Sequence, residues 1–302
     1  MNVNLKRRKI IRSGVATLLT GVAAGIYQAR VFESKSAEQL KAKEISSTQH
    51  SATKSEKRPE YESAVRDNLV KTRDFDRFYS DDIFVAEDKM PVFQSVLKRI
   101  LRVQKFIGYA NFNLVSFDDM LLYASRYPSI GRFTPAELNF IDELFFHDAH
   151  EYGFYGEKVI ENLTAKIKVN ETIKIPGSGH YLFKDHALRK FHQLKKDIGN
   201  ELVLTSGVRS VVKQIQLFLV KLDSSKGNLS MASRSLAPPG HSYHGIGDFD
   251  VGKKDFGEFN FTEKFSSTHE YKKLIELKYI DLRYTKENKF GVRYEPWHIK
   301  VV

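Results

Sequence analysis

Two stretches of the sequence concentrate side chains that could hydrolyse a bond with the help of a metal ion. The first is Pro238-Pro239-Gly240-His241-Ser242-Tyr243-His244-Gly245-Ile246-Gly247-Asp248-Phe249-Asp250-Val251-Gly252, and the second is Tyr294-Glu295-Pro296-Trp297-His298. If the Pro-Pro-Gly turn leads into a strand, His244, Asp248 and Asp250 share a face, because they are an even number of residues apart. Glu295 and His298 would point to opposite faces of a regular strand, and a turn at Pro296 would let them converge. Two imidazoles and one carboxylate make an open catalytic zinc set, with a fourth position left for water. A further carboxylate beside such a metal can take the water's proton. His244, Asp250 and His298 supply the ligands and Glu295 the base. The chain has no cysteine, so any metal is held by His, Asp or Glu, and thiol nucleophiles and disulfide scaffolds are excluded.

The same residues resemble a known family. Ser242-x-His244-x-x-Gly247 followed by Asp250, and then Glu295-x-Trp297-His298, resemble the motifs of the zinc-dependent D-alanyl-D-alanine carboxypeptidases of VanY type. Upstream, Ser206-Gly207-Val208-Arg209-Ser210 followed by Gln214 resembles that family's Ser-Gly-Tyr-Arg-Ser…Gln segment. Three motifs in the same order over roughly residues 180–302 are far more specific than any one of them. The resemblance implies a small α+β domain whose antiparallel strands carry the ligands. It implies Zn2+ held by His244, Asp250 and His298, and Glu295 as the general base that passes a proton to the leaving amine. Arg209 would bind or polarise the substrate beside the scissile bond, and Gln214 and Ser242 would help position the peptide. One spacing departs from the family, which places the aspartate seven residues after the first histidine, whereas Asp250 lies six after His244. Asp248 lies seven after His241, so a shifted His241–Asp248 pair is the alternative. Keeping Ser242 and Gly247 in their family places favours Asp250, with Asp248 behind it orienting a histidine.

These residues need elements to position them. Asp185 to Ile198 reads as a helix closed by Gly199, Glu201 to Thr205 as a short strand, and Val211 to Leu222 as a second helix. Before residue 166 the pattern is helical. Val92, Val96, Ile100, Leu101 and Val103 mark one face of a helix ending near Gly108, and Thr134-Pro135-Ala136-Glu137 is a capping box. His147 and His150, with Glu143 and Glu151 nearby, could be weighed as a second metal set. Two histidines at the end of an amphipathic helix are more often a polar terminus, and they are read so here.

The chain of 302 residues carries 48 Lys+Arg and 37 Asp+Glu, a formal net charge of +11. Residues 1–75 hold 15 basic and 8 acidic residues and the remainder 33 and 29, so most of the excess lies outside the folded part. Without a basic-aromatic stripe, a nucleic-acid partner is not expected. Lys6-Arg7-Arg8-Lys9-Ile10-Ile11-Arg12, before a short apolar run from Val15 to Ile26, reads as an export signal similar to the twin-arginine type, or as an uncleaved anchor. From Glu33 the composition turns polar and reads as a tether. The expected organisation is therefore an export signal or anchor (1–30), a flexible linker (31–75), a helical region (76–165) and an α+β zinc peptidase domain (166–302). The expected function is zinc-dependent hydrolysis of the terminal D-Ala-D-Ala bond of peptidoglycan stem peptides outside the cytoplasmic membrane. The protein would act there as a monomer and touch the membrane only through its N-terminal segment. A related D,D-dipeptidase or endopeptidase, or a non-catalytic cell-wall binding module, are the alternatives.

Overall fold

The computed structural model describes residues 62–302; the expected export segment and the tether up to residue 61 lie outside them. The elements in chain order are helix α1 (62–73), α2 (Met90–Ile107), α3 (Tyr109–Phe112), α4 (Phe117–Arg126) and α5 (Pro135–Phe146), then strands β1 (Thr172–Lys174) and β2 (Tyr181–Phe183). Helix α6 (His186–Ile198), β3 (Leu202–Ser206), α7 (Val211–Ser224), α8 (Leu229–Ser235), β4 (Phe249–Lys253), α9 (His269–Glu276) and β5 (His298–Ile299) follow. The architecture is α+β with small antiparallel sheets: β1 pairs with β2, and β3, β4 and β5 form a three-stranded sheet in that order.

Local signals explain where the helices begin and end. The Thr134 side chain accepts the Glu137 N–H while the Glu137 carboxylate accepts the Thr134 N–H, with Pro135 in the first turn. Ser210 caps α7, Asn228 caps α8 and Thr268 caps α9, each accepting an N–H three residues on. Gly199 ends α6 at φ 116°, in a region that side chains rarely enter. The start of α5 and the limits of α6 and α7 agree with the sequence reading to within two or three residues, whereas α8 and α9 have no counterpart in it.

The core has two parts. One gathers α2, α4, α5, α7 and α8 around Phe93, Ile100, Phe112, Ile141, Phe145 and Phe218. The other joins α6, α9 and the three-stranded sheet around Phe191, Leu194, Leu202, Phe249, Phe265 and Trp297. Helix α7 is buried along most of its length, by Val211, Val212, Ile215, Phe218, Leu219 and Leu222. It belongs to the first part, whereas β3, just before it, belongs to the second. The link from β3 to α7, residues 207–210, therefore passes from one core to the other.

Two sequence-based boundaries shift. The division at residues 165/166 is not a division in the packing, since α7, α8, Tyr284 and Val292 share a core with the helices before it, and the described residues pack as one unit. The linker was expected to reach residue 75, yet 62–73 are helical, with Val65, Asn68 and Thr72 buried. That buried face has helical spacing but is largely polar, so a pattern read from hydrophobicity passes over it. The segment after α1 is also anchored: Asp82, buried, accepts Arg234 Nη1 at 2.7 Å and Asn228 Nδ2 at 2.7 Å. Among the described residues no helix is long and apolar enough to cross a membrane.

Candidate active site

Sheet register brings the first two site residues together. Ser206 pairs with Asp250 across β3 and β4, and Asp250 pairs with His298 across β4 and β5. Directly opposed residues put their side chains on the same face, so these three form one row across the sheet. His244 arrives differently from the sequence reading. It lies in a 3-10 turn, Tyr243–Gly245, and not on a strand. The Tyr243 carbonyl accepts the N–H groups of Ile246, Gly247 and Asp248, coiling the chain tightly just before β4. Glu295 is brought back by the expected turn: the His298 N–H donates to the Glu295 carbonyl at 3.2 Å, with Pro296 in the second position.

The result is a tight, buried constellation. His244 Nε2 lies 3.2 Å from Asp250 Oδ1, and His298 Nδ1 lies 3.3 Å from the same oxygen. The Glu295 carboxylate is 3.4 Å from His298 Nδ1. One atom each from His244, Asp250 and His298 fall within 4.8 Å of one another, and all three residues are buried. His244 Nε2 and Asp250 Oδ1 are buried without a hydrogen-bond partner. Leaving such atoms unpaired costs about 1–3 kcal/mol each, a penalty that a shared cation removes.

Charge and tautomer point the same way. His244 Nδ1 donates to the Gly207 carbonyl at 2.8 Å, since a carbonyl can only accept, which leaves Nε2 as the lone-pair nitrogen. Burial, with the Arg209 guanidinium nearby, pushes the His244 pKa down to about 4, so the ring is neutral, as a ligand must be. His298 Nε2 faces Asp248 Oδ2 at 3.1 Å, turning Nδ1 toward Asp250 and Glu295. Burial opposes a charge on His298, but its bonds to Asp248 and Glu295 outweigh that and raise its pKa to about 9 in the absence of a cation. Burial likewise opposes ionisation of Asp250, and His244 and Arg209 hold its carboxyl well below the usual range. Asp250 and Asp248, both buried, are each paired with one guanidinium group, Arg209 and Arg283, while the Glu295 carboxylate lies beside His298.

The two aspartates take distinct places. They bracket the His298 imidazole, with Asp250 at Nδ1 among the gathered atoms and Asp248 at Nε2 behind the ring. His241 stands apart from both: its Nδ1 lies 3.1 Å from the Gly156 carbonyl and its ring packs edge-on to Phe154. The shifted His241–Asp248 pair is therefore not assembled.

The other predicted site residues are placed less simply. Arg209 donates from Nη2 to Asp250 Oδ2 at 2.6 Å and from Nε to Ser206 Oγ at 3.0 Å, so it clamps the candidate ligand itself. Its Nη1 makes no hydrogen bond among the described residues. Gln214, expected to touch the peptide, is buried, and both ends of its amide are taken by backbone, donating to the Arg209 carbonyl at 3.0 Å and accepting the Gly240 N–H at 2.9 Å. It ties the Arg209 loop to the loop before His244. Ser242 is buried and its hydroxyl makes no hydrogen bond among the described residues. His147 and His150 do not build a second metal set: His147 pairs with Glu151 at 3.1 Å, and Glu143 pairs with Lys89.

Comparison with known proteins supplies the family. Residues 183–302 match the VanY family, D-alanyl-D-alanine carboxypeptidase. This part of the chain is a VanY-type carboxypeptidase domain. It is a zinc metallopeptidase domain, and the gathered His244, Asp250 and His298 fit the metal that the family uses. No curated protein matches the chain. One solved structure similar to it is a zinc complex of a glutamate-to-alanine mutant of VanY, the vancomycin resistance D,D-pentapeptidase from a VanB-type resistance cassette. That match has 19% identity and a TM-score of 0.34, and covers 48% of this chain and 87% of the other.

Sequence reasoning missed three partners of the VanY-type site. Arg283 bonds Asp248, the Gly207 carbonyl orients His244, and His180 lies near Arg209 with its Nδ1 buried and unpartnered. None belongs to the matched motifs as a chemical group, and only the fold brings them within reach.

Proposed function

We propose that the chain hydrolyses the terminal D-Ala-D-Ala bond of peptidoglycan stem peptides, with His244 Nε2, Asp250 Oδ1 and His298 Nδ1 holding zinc. The observation that carries this reading is the pair of buried, unpartnered atoms on His244 and Asp250, gathered with His298 beside the Glu295 carboxylate. When bound, zinc supplies Lewis acidity, polarising a carbonyl and making water a nucleophile near neutral pH. Glu295, anchored by its N–H to the Tyr284 carbonyl, accepts the proton of the attacking water on its carboxylate and returns it to the leaving amine. Arg209 keeps Asp250 oriented and offers Nη1 to the substrate. Gln214 acts indirectly, by holding the Arg209 and Gly240 loops together. Because stem peptides lie outside the cytoplasmic membrane, the reading includes export directed by the N-terminal segment.

The test is turnover of a pentapeptide ending in D-Ala-D-Ala by wild type and Glu295→Ala, each with and without a chelator. Wild-type release of D-alanine should stop on chelation, and Glu295→Ala should keep its zinc and lose at least 100-fold in kcat, at the lower end of what a positioned base contributes (about 10²–10⁴-fold). Release that survives both treatments overturns the mechanism.

A further inference from the structure

Asp248 is more heavily engaged than an orienting carboxylate requires. It is buried, and beyond His298 Nε2 it accepts Arg283 Nε at 2.6 Å, Arg283 Nη2 at 3.2 Å, the Val301 N–H at 2.8 Å and the Val302 N–H at 3.4 Å. The guanidinium group of Arg283 stacks on the Tyr243 ring, its central carbon 3.5 Å from the ring centre. Arg283 is also tied to His298 by backbone, donating its N–H to the His298 carbonyl at 3.3 Å, and Leu282 bridges to Ile299 beside it. Thus Arg283 holds His298 directly through its backbone and, through Asp248, by its side chain.

We propose that Arg283, clamped on Tyr243, is a positioning residue for zinc binding: it locks Asp248 so that His298 presents Nδ1 to the metal. The inference rests on the ligand set proposed above. The physical reason is geometric. Without Arg283 the carboxylate would keep the Val301 and Val302 N–H groups on Oδ1, and only the imidazole on Oδ2, so that Oδ2 could swing and the ring turn with it. Two parallel N–H···O bonds from a planar guanidinium remove that freedom. The stack on Tyr243 fixes the guanidinium plane in turn. Tyr243 precedes His244, so one side chain braces the path to His298 while its own carbonyl shapes the turn that carries His244.

The experiment compares wild type, Arg283→Lys and Arg283→Met as zinc-loaded proteins. Zinc affinity is read by competition with a chromogenic chelator, and the imidazole N–H protons by NMR. In Arg283→Met zinc affinity should fall 10–100-fold, the usual cost of losing an outer partner of a ligand. The His298 Nε2 proton should then exchange with solvent, while the His244 Nδ1 proton, held by the Gly207 carbonyl, stays protected. Arg283→Lys keeps a charge but not the paired geometry and should fall between the two. If Arg283→Met does not fold, Arg283→Lys decides alone, by a measurable loss of affinity and faster exchange at His298. Affinities within twofold of wild type with both protons protected overturn the inference. These readouts need no turnover, so absence of D-Ala-D-Ala hydrolysis would refute the substrate and leave the positioning role standing. A wild-type protein that does not bind zinc would refute both.

Discussion

Replacing Gly207 by alanine puts a methyl group where the backbone of the β1–β2 hairpin already lies. A Cβ at this position would sit 2.0 Å from the Tyr181 carbonyl oxygen and 3.2 Å from Leu182 Cδ2. The first neighbour is backbone, so it cannot swing aside as a side chain end could. The hairpin or the 207–210 link must move, and the Val208 N–H to Tyr181 carbonyl bond of 2.8 Å goes with it. Overpacking of this kind costs about 1–3 kcal/mol, and the lost bond adds about 1 kcal/mol. A destabilisation of about 2–4 kcal/mol corresponds, for a body of this size, to a fall in Tm on the order of 10 °C. The same movement displaces the carbonyl that holds His244 Nδ1 at 2.8 Å, so zinc affinity should fall by about 10–100-fold as well. Thermal unfolding of the metal-free protein reads the first effect, and competition with a chromogenic chelator reads the second. A Gly207→Ala protein that melts within 1–2 °C of wild type and binds zinc equally would refute the account of how the two cores present His244.

Two further outcomes follow from buried charge. Asp82→Ala strands the Arg234 guanidinium in the core and should cost about 3–5 kcal/mol, seen in denaturant unfolding; an Asp82→Leu/Arg234→Met double variant should recover much of it. Equal stability of wild type and the single variant would remove the anchor proposed for the segment after α1. His241 tests the pH dependence: burial, with Lys158 nearby, pushes its pKa down from 6.5 to about 4. The unfolded chain therefore takes up a proton that the folded chain refuses, so the stability gained is complete above pH 6.5 and is lost as pH falls from there toward 4. Each unit in that window is worth at most about 1.4 kcal/mol. The unfolding free energy of His241→Gln should decline less steeply than that of wild type between these pH values, and parallel curves would contradict the assignment.

Much of the candidate site was legible in the sequence because it is carried by residue types that occur close together. His244 and Asp250 belong to one short segment and Glu295 and His298 to another, and the proline between the latter two already signals the turn. Helix limits were legible for a related reason: the Thr134 box and Gly199 act on backbone groups only a few residues away. The face of α1 was not, since Asn68 and Thr72 give no apolar periodicity to count.

What the sequence by itself determined is thus the identity of the candidate ligands and base, and the local elements that carry them. Only the tertiary structure decided which nitrogen of each imidazole faces inward, and it set Asp250, which the motif spacing favoured, among the gathered atoms with Asp248 behind them. It also set Arg209 against Asp250, joined the Gln214 amide to the Arg209 and Gly240 backbone, and placed Arg283 on Asp248 behind His298. Each of these depends on partners tens of residues apart or on the direction of one side chain within a packed neighbourhood. Spacing along the chain governs the backbone nearby, whereas these choices follow from sheet register and from the need of every buried polar atom to find a partner.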